Sequence, residues 1–169
     1  TALFCAYLGL LPQDIAGPGT GLSSRGVLHK ISVIAAALEH HRQTVASGNP
    51  LAILAALGGF EIATLAGMLL GGASLNMALV VDGFISASAF VAARAICPTV
   101  QEYAFFSHAS AEPGFAVVMD RLSASPLLHL DMRLGEGTGA AVAIFILRSA
   151  ANIFNEMATF SAAGVHSPT

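Results

Sequence analysis

The chain has 169 residues, 55% of them hydrophobic, and a mean hydropathy of +0.73. Only 10% are charged, the net charge is −3 and Lys30 is the single lysine, which excludes the basic clusters of nucleic-acid-binding proteins. This length suffices for one domain with a hydrophobic core, and we treat residues 1–169 as a single domain. Such an apolar composition predicts a chain that is buried on many sides, lies in a membrane, or packs against a partner.

The six histidines and two cysteines show no spacing typical of metal ligands, so no metal site is expected. Cys5 and Cys97 fit buried thiols of a reducing compartment, which we take to be the cytoplasm.

The first feature along the chain is a glycine-rich stretch over residues 17–21. It precedes a helix predicted over 24–47, with Ser23 and Ser24 as N-cap candidates and Lys30 about two turns in. The spacing matches neither a Walker loop nor the dinucleotide fingerprint. A glycine loop before a helix offers backbone N–H groups to an anion, although a plain connecting loop explains the pattern equally simply.

A second feature is the uncharged stretch over 62–81, which follows a short helix predicted over 50–57. Its length is that of a membrane-spanning helix, and a membrane protein remains one alternative. Glycines, Ser74 and Asn76 interrupt the stretch, however, and residues 77–81 are rich in β-formers. We therefore predict a buried helix, a turn and a central strand.

Polar residues follow both predicted strands, 77–81 and 103–106. Asp82 ends the first strand, and a loop with His108 and Ser110 follows the second. Ligands of open α/β sheets bind at the carboxyl ends of the strands, so Asp82 and Ser110 are candidate ligand contacts. The alternatives are that Asp82 caps a helix over 86–96 and that the loop side chains satisfy loop backbone groups. Further on, a helix over 115–122 and a short turn at 126–128 are predicted.

These elements indicate a helix-rich α/β fold with a parallel, Rossmann-like sheet and helices on both faces. Two strands are too few for a complete sheet. We therefore expect this chain to be part of a longer one.

The stretch over 134–140 holds a carboxylate, Glu136, between Gly135 and Gly137, directly before an apolar helix predicted over 138–163. The small flanking residues let a ligand approach the backbone closely. Glu136 is either a base at the mouth of a pocket or a cap for its own helix. Arg133 either binds a phosphate bidentately or pairs with Asp131 or Glu136.

Several stretches together resemble the nicotinate-nucleotide–dimethylbenzimidazole phosphoribosyltransferase family. They are residues 19–22 with Lys30, 57–63, 82–86, 108–114, 134–140 and 155–160, in one order along nearly the whole chain. The family's chains are about twice as long, so the resemblance implies a C-terminal half.

The resemblance implies transfer of the phosphoribosyl group of nicotinate mononucleotide to 5,6-dimethylbenzimidazole or a related base, without a cofactor or a metal. It implies a cytoplasmic homodimer that acts on neither nucleic acid nor membrane. Glu136 matches the family's catalytic base and should line one cavity with Lys30 and Asp82. The implied substrate-binding residues are Gly19, Thr20, Gly21, Lys30, Asp82, Ser110, Arg133, Gly135 and Gly137. A non-catalytic nucleotide-binding module remains an alternative.

Overall fold

The structure is a computed structural model that describes residues 1–19 and 21–164. Within them the helices are α1 (Ala2–Leu8), α2 (Pro12–Ile15), α3 (Ser24–His40), α4 (Arg42–Ala46), α5 (Pro50–Leu57), α6 (Phe60–Ser74), α7 (Phe84–Ile96), α8 (Gly114–Leu122) and α9 (Thr138–Glu156). Two strands, β1 (Leu79–Val81) and β2 (Ala104–Phe106), and a 3₁₀ segment (Pro98–Tyr103) complete the order. The predicted helix-rich α/β class is confirmed.

The local signals at several helix ends are also confirmed. Ser23 Oγ accepts a hydrogen bond from the Gly26 N–H at 3.3 Å, and Asn49 Oδ1 caps α5. Two helices are shorter than predicted. The helix expected over 24–47 breaks at His41, which leaves helical geometry (φ −100°, ψ 19°), and the last helix ends at Glu156 because Met157 is extended.

The two strands pair in parallel, with Leu79 opposite Ala104 and Val81 opposite Phe106. Pairing continues past the end of β2, where the Ser107 N–H donates to the Val81 carbonyl at 2.9 Å. The strands therefore end side by side, and the residues that follow them share one edge of the sheet.

A further parallel stretch joins this edge. The Leu127 N–H donates to the Phe106 carbonyl at 2.8 Å, and Leu128 forms a parallel bridge with His108. The turn predicted at 126–128 is therefore wrong, since these residues extend the sheet. A third chain segment thus reaches the carboxyl edge just before the Glu136 stretch.

The core is built around α7, in which seven successive residues, 87–93, are buried. Five of them are small, four alanines and Ser88, which lets neighbouring elements approach closely. Phe90 packs edge-on against Phe106 of β2 at 5.1 Å between ring centroids, and Phe84 packs against Phe4 of α1 at 4.9 Å. Because Asp82 and Gly83 alone separate β1 from α7, this core fixes the end of β1 firmly.

Some predicted burial is wrong. Cys5 is buried but Cys97 is exposed. In α6 Ala66 is the one buried residue, since the helix packs on α7 along one side while Phe60 is 91% exposed. In α9 only Gly139 and Ala143 are buried.

The stretch over 62–81 folds as the predicted helix, turn and strand. Among the described residues one helix, α9, is long and apolar enough to cross a membrane by length and composition alone, and α6 is too short.

Candidate active site

Polar residues from three chain segments meet at the carboxyl edge of the sheet. Asp82 follows β1, Ser107 and His108 follow β2, and His129 follows the bridge residue Leu128. Ligands of open α/β folds bind at this edge because the loops after successive strands converge there.

Asp82 holds the start of α9 at this edge. Its Oδ1 accepts a hydrogen bond from the Ala140 N–H at 2.8 Å, across 58 positions of sequence. The N-cap residue of α9 is Gly137, which has no side chain to offer, so Asp82 takes over the capping role. The alternative in which Asp82 caps its own following helix is therefore wrong. Gly83 precedes that helix, and its N–H donates to Ser86 Oγ at 2.9 Å.

His108 lies behind Asp82 and is 5% exposed. Its Nδ1 is 3.0 Å from Ser107 Oγ and 3.9 Å from Asp82 Oδ1. Ser107 Oγ donates its only proton to the Asp82 carbonyl at 2.9 Å, so it must accept from His108, and Nδ1 carries a proton. The ring packs directly on α9, since a Cβ at Gly139 would lie only 2.7 Å from its Cε1.

Glu136 lies in a turn of three successive left-handed residues, with φ +78° at Gly135, +56° at Glu136 and +77° at Gly137. Thr138 closes this turn, because its N–H and its hydroxyl both donate to the Gly135 carbonyl. Glu136 is exposed and makes no cap to α9, so the capping alternative is wrong. The two glycines adopt backbone angles that L side chains rarely take, which explains the pattern around the carboxylate.

Lys30 is tied to the first glycine-rich stretch. Its Nζ donates to the Gly17 carbonyl at 3.0 Å. Gly17 in turn packs against the loop after β2, because a Cβ there would lie 2.7 Å from Pro113 Cδ. The same loop carries Ser110, whose Oγ accepts from the Glu112 N–H at 3.4 Å, as the backbone-satisfying alternative predicts.

The glycine loop itself contains three of the predicted substrate contacts. Gly19 and Gly21 are exposed and have φ +56° and +117°. The Gly21 N–H donates to the Pro18 carbonyl at 3.2 Å, so this donor is engaged inside the loop. Thr20 lies outside the described residues. Phosphate binding by this loop stays a prediction.

Arg133 is exposed, and the ion pair of an arginine or lysine found among residues 1–19 and 21–164 is Arg42–Glu39. The alternative that pairs Arg133 with Asp131 or Glu136 is therefore not seen in that part of the chain.

Two surface hollows, of about 440 and 420 Å³, lie beside residues 39–44 and beside the start of α3. Glu136, Lys30 and Asp82 line neither. The single cavity expected around these three residues stays a prediction.

Sequence reasoning missed Ser107, Gly139 and the bridge at Leu128. Ser107 directly follows a predicted strand, so its position at the sheet edge was a usable signal. Two paired residues at 127–128 are too short for a periodic pattern, and nothing near Gly139 in sequence indicates His108.

Comparisons with known proteins agree with this architecture. A family profile described as Phosphoribosyltransferase matches residues 1–165. Relatives from Nitratidesulfovibrio vulgaris (strain DP4) and Solidesulfovibrio magneticus, both named nicotinate-nucleotide–dimethylbenzimidazole phosphoribosyltransferase, are 62% and 61% identical over 98% of this chain. A crystal structure of CobT from Thermus thermophilus superposes with a TM-score of 0.86 at 37% identity over 99% of this chain.

This chain covers 46% and 47% of the two relatives and 49% of the Thermus chain, so it spans about half their length. Over that half the identity is high and the match is continuous. The chain therefore belongs to the nicotinate-nucleotide–dimethylbenzimidazole phosphoribosyltransferase family.

Proposed function

We propose that this chain supplies the catalytic base and the phosphate-binding elements for transfer of a phosphoribosyl group in the synthesis of the lower ligand of cobalamin. Nicotinate mononucleotide is the donor, and 5,6-dimethylbenzimidazole or a related base is the acceptor. The products are α-ribazole 5′-phosphate and nicotinate. The observation that carries this proposal is Glu136, an exposed carboxylate on a glycine-flanked turn just before the helix start that Asp82 holds.

The proposed phosphoribosyl transfer requires one general base. The bond between the ribose C1′ and the pyridinium nitrogen breaks, and nicotinate leaves readily because its ring nitrogen loses its positive charge. A benzimidazole nitrogen bonds to C1′, and the acceptor ring must lose its N–H proton. Glu136 takes that proton, which requires its carboxylate within hydrogen-bond reach of the acceptor ring. No pyrophosphate leaves, so the proposal assigns no role to a metal.

Lys30 and the glycine loop hold the 5′-phosphate in this proposal. A lysine ammonium has three donors, and the bond to the Gly17 carbonyl occupies one of them. Two donors thus remain for phosphate oxygens beside Gly19, Thr20 and Gly21. Arg133 is exposed and supplies a second cation.

The remaining predicted substrate contacts have the following roles in this proposal. Asp82 and Ser110 face the ribose or the nicotinate, and Gly135 and Gly137 let the acceptor base approach Glu136.

We further infer that this single α/β domain is the C-terminal portion of a longer phosphoribosyltransferase that forms a homodimer. The chain spans about half the length of its relatives, and its apolar side chains remain exposed on α6 and α9. Phe60, Phe145 and Phe154 are 91%, 69% and 89% exposed. Many large apolar side chains exposed on one helix are typical of a face that packs on more protein.

The apolar face of α9 meets protein rather than lipid in this proposal. Arg148 stands near the middle of α9, and a central arginine costs about 2.5–3.5 kcal/mol in a membrane helix. The net charge of −3 opposes binding to nucleic acid. The free thiols of Cys5 and Cys97 suit a cytoplasmic location.

The test is a chimera in which this chain replaces the matching residues of the Nitratidesulfovibrio vulgaris relative. Glu136→Gln in this chimera should lower turnover at least about a hundredfold, because the amide cannot accept the proton. The matched control is Glu102→Gln, which changes an exposed carboxylate in the 3₁₀ segment and should leave turnover unchanged. Near-normal turnover of Glu136→Gln would remove Glu136 from the mechanism.

Calorimetry separates this proposal from a binding module. The chimera is titrated with nicotinate mononucleotide, alone and with 5,6-dimethylbenzimidazole present. Heat of binding accompanied by nicotinate release supports the transferase. Tight binding without release of nicotinate supports the non-catalytic module instead.

A further inference from the structure

We propose that Asp82 is a positioning residue for Glu136, which it places by holding the first turn of α9 at the carboxyl edge of the sheet. Ser107 holds the Asp82 backbone in turn, and His108 packs between the end of β1 and the first turn of α9. The inference rests on the proposed role of Glu136 as the base. It predicts that loss of Asp82 lowers kcat, whereas loss of a direct contact with the substrate would raise KM.

The backbone alone sets the position of the Glu136 carboxylate among the described residues. Its carboxylate makes no hydrogen bond within residues 1–19 and 21–164, and it is exposed. Upstream, the last backbone bond in that part of the chain that ties this loop to the sheet is donated by Ala109 to the Leu128 carbonyl. Leu130 and Leu134 in between are 59% and 74% exposed. The downstream attachment, at the start of α9, therefore decides where the carboxylate stands.

The start of α9 is held by Asp82 and by the packing of Gly139 on His108. Gly139 and Ala143 are the only buried residues of the helix, and its first turn has no acidic residue. Within the described residues, the bond from the Ala140 N–H to Asp82 Oδ1 is the one hydrogen bond that joins α9 to the sheet. Removing this acceptor leaves a helix-terminal N–H without a partner, which favours movement of the first turn.

Ser107 and His108 lie against Asp82. The Ser107 hydroxyl donates to the Asp82 carbonyl, and His108 Nδ1 lies 3.9 Å from Asp82 Oδ1, beyond hydrogen-bond distance. The imidazole also fills the space between the backbones of Gly83 and Gly139, where added Cβ atoms would lie 3.6 and 2.7 Å from its Cε1. One buried ring therefore contacts the end of β1 and the first turn of α9 together.

The test compares variants in the chimera described above. Asp82→Ala should lower kcat by up to about a hundredfold, because small misplacement of a reacting group costs this much. The KM for nicotinate mononucleotide should change less than about twofold, because Asp82 acts here through the start of α9. A contact with the ribose or the nicotinate, the other role proposed for Asp82, would raise this KM instead. Asp82→Asn keeps an acceptor oxygen and should retain at least ten times the kcat of Asp82→Ala. Asp120→Ala, an exposed carboxylate on α8, is the matched control and should keep full turnover.

Hydrogen exchange at the Ala140 amide gives a readout independent of activity. Mass spectrometry of peptides from the start of α9 should show faster exchange in Asp82→Ala than in Asp82→Asn. A raised KM with unchanged kcat, or unchanged exchange at Ala140, overturns the proposal. If Glu136→Gln proves fully active, the proposed function fails instead, and the exchange at Ala140 still decides whether Asp82 holds α9.

Discussion

Gly139→Ala tests how closely the first turn of α9 packs on His108. An added Cβ would lie 2.7 Å from Cε1 and 2.8 Å from Cγ of the imidazole, well inside ordinary contact. The ring cannot turn aside without breaking its 3.0 Å hydrogen bond to Ser107, and it is 5% exposed. Overpacking of this kind costs about 1–3 kcal/mol.

Gly67→Ala is the matched control, because Gly67 lies inside α6 and, apart from its own helix backbone and chain neighbours, no described atom lies within 4 Å of its added Cβ. Replacing a helical glycine by alanine favours the helix by up to about 1 kcal/mol, and both variants share this gain. The difference between the two isolates the contact with His108. Urea unfolding should therefore rank Gly139→Ala about 1–3 kcal/mol below Gly67→Ala.

The same contact should appear in turnover. In the chimera, Gly139→Ala displaces the first turn of α9 and with it Glu136, so kcat should fall. Equal free energies of unfolding for the two variants would refute the packing of His108 on Gly139, and with it half of the proposed support for Glu136.

Two further predictions concern strain and pH. Glu136→Gly should stabilise the chain by about 1 kcal/mol in urea unfolding while abolishing turnover, since a non-glycine residue at φ +56° is strained; a loss of stability would contradict this. Tyr7 donates to the Pro50 carbonyl at 2.7 Å, and burial raises the pKa of Tyr7 from 10.0 to about 12. The buried, protonated Tyr7 hydroxyl contributes its full stabilisation below pH 10, and this contribution is lost as the pH rises through about 12. Between pH 9 and 12 the urea midpoint should therefore fall less steeply for Tyr7→Phe than for the unchanged chain.

The local elements near the site were predictable because each has a local cause. Asn49 and Pro50 predict the start of α5, and the helix begins at Pro50. The strand before Asp82 and the helix after it follow from short-range hydrophobic pattern, and both are present. The glycines around Glu136 were interpreted as room for a ligand near the backbone, whereas the structure shows a further cause, since Gly135, Glu136 and Gly137 are all left-handed.

The long-range part of the site was not predictable from one sequence. The bond between Asp82 and the Ala140 N–H joins residues 58 positions apart, and local capping signals suggested other partners for both carboxylates. The parallel bridge at Leu128 is likewise set by tertiary contacts. Hydropathy predicted burial for α6 and α9, but it cannot tell which molecule covers an apolar face, so much of each helix is exposed here.

Under the proposed function, Asp82 caps α9 and Glu136 accepts the proton, and a single carboxylate would perform both tasks poorly. A capping carboxylate has its oxygen engaged by a backbone N–H, which favours the ionised form and leaves that lone pair unavailable for a proton. A base must keep a lone pair facing its substrate. Asp82 caps the helix from a distant strand, and Glu136 therefore stands just outside the helix with its oxygens unengaged by α9. The strained backbone at Glu136 makes no cap to α9, and under the proposed function it presents the carboxylate to the acceptor base.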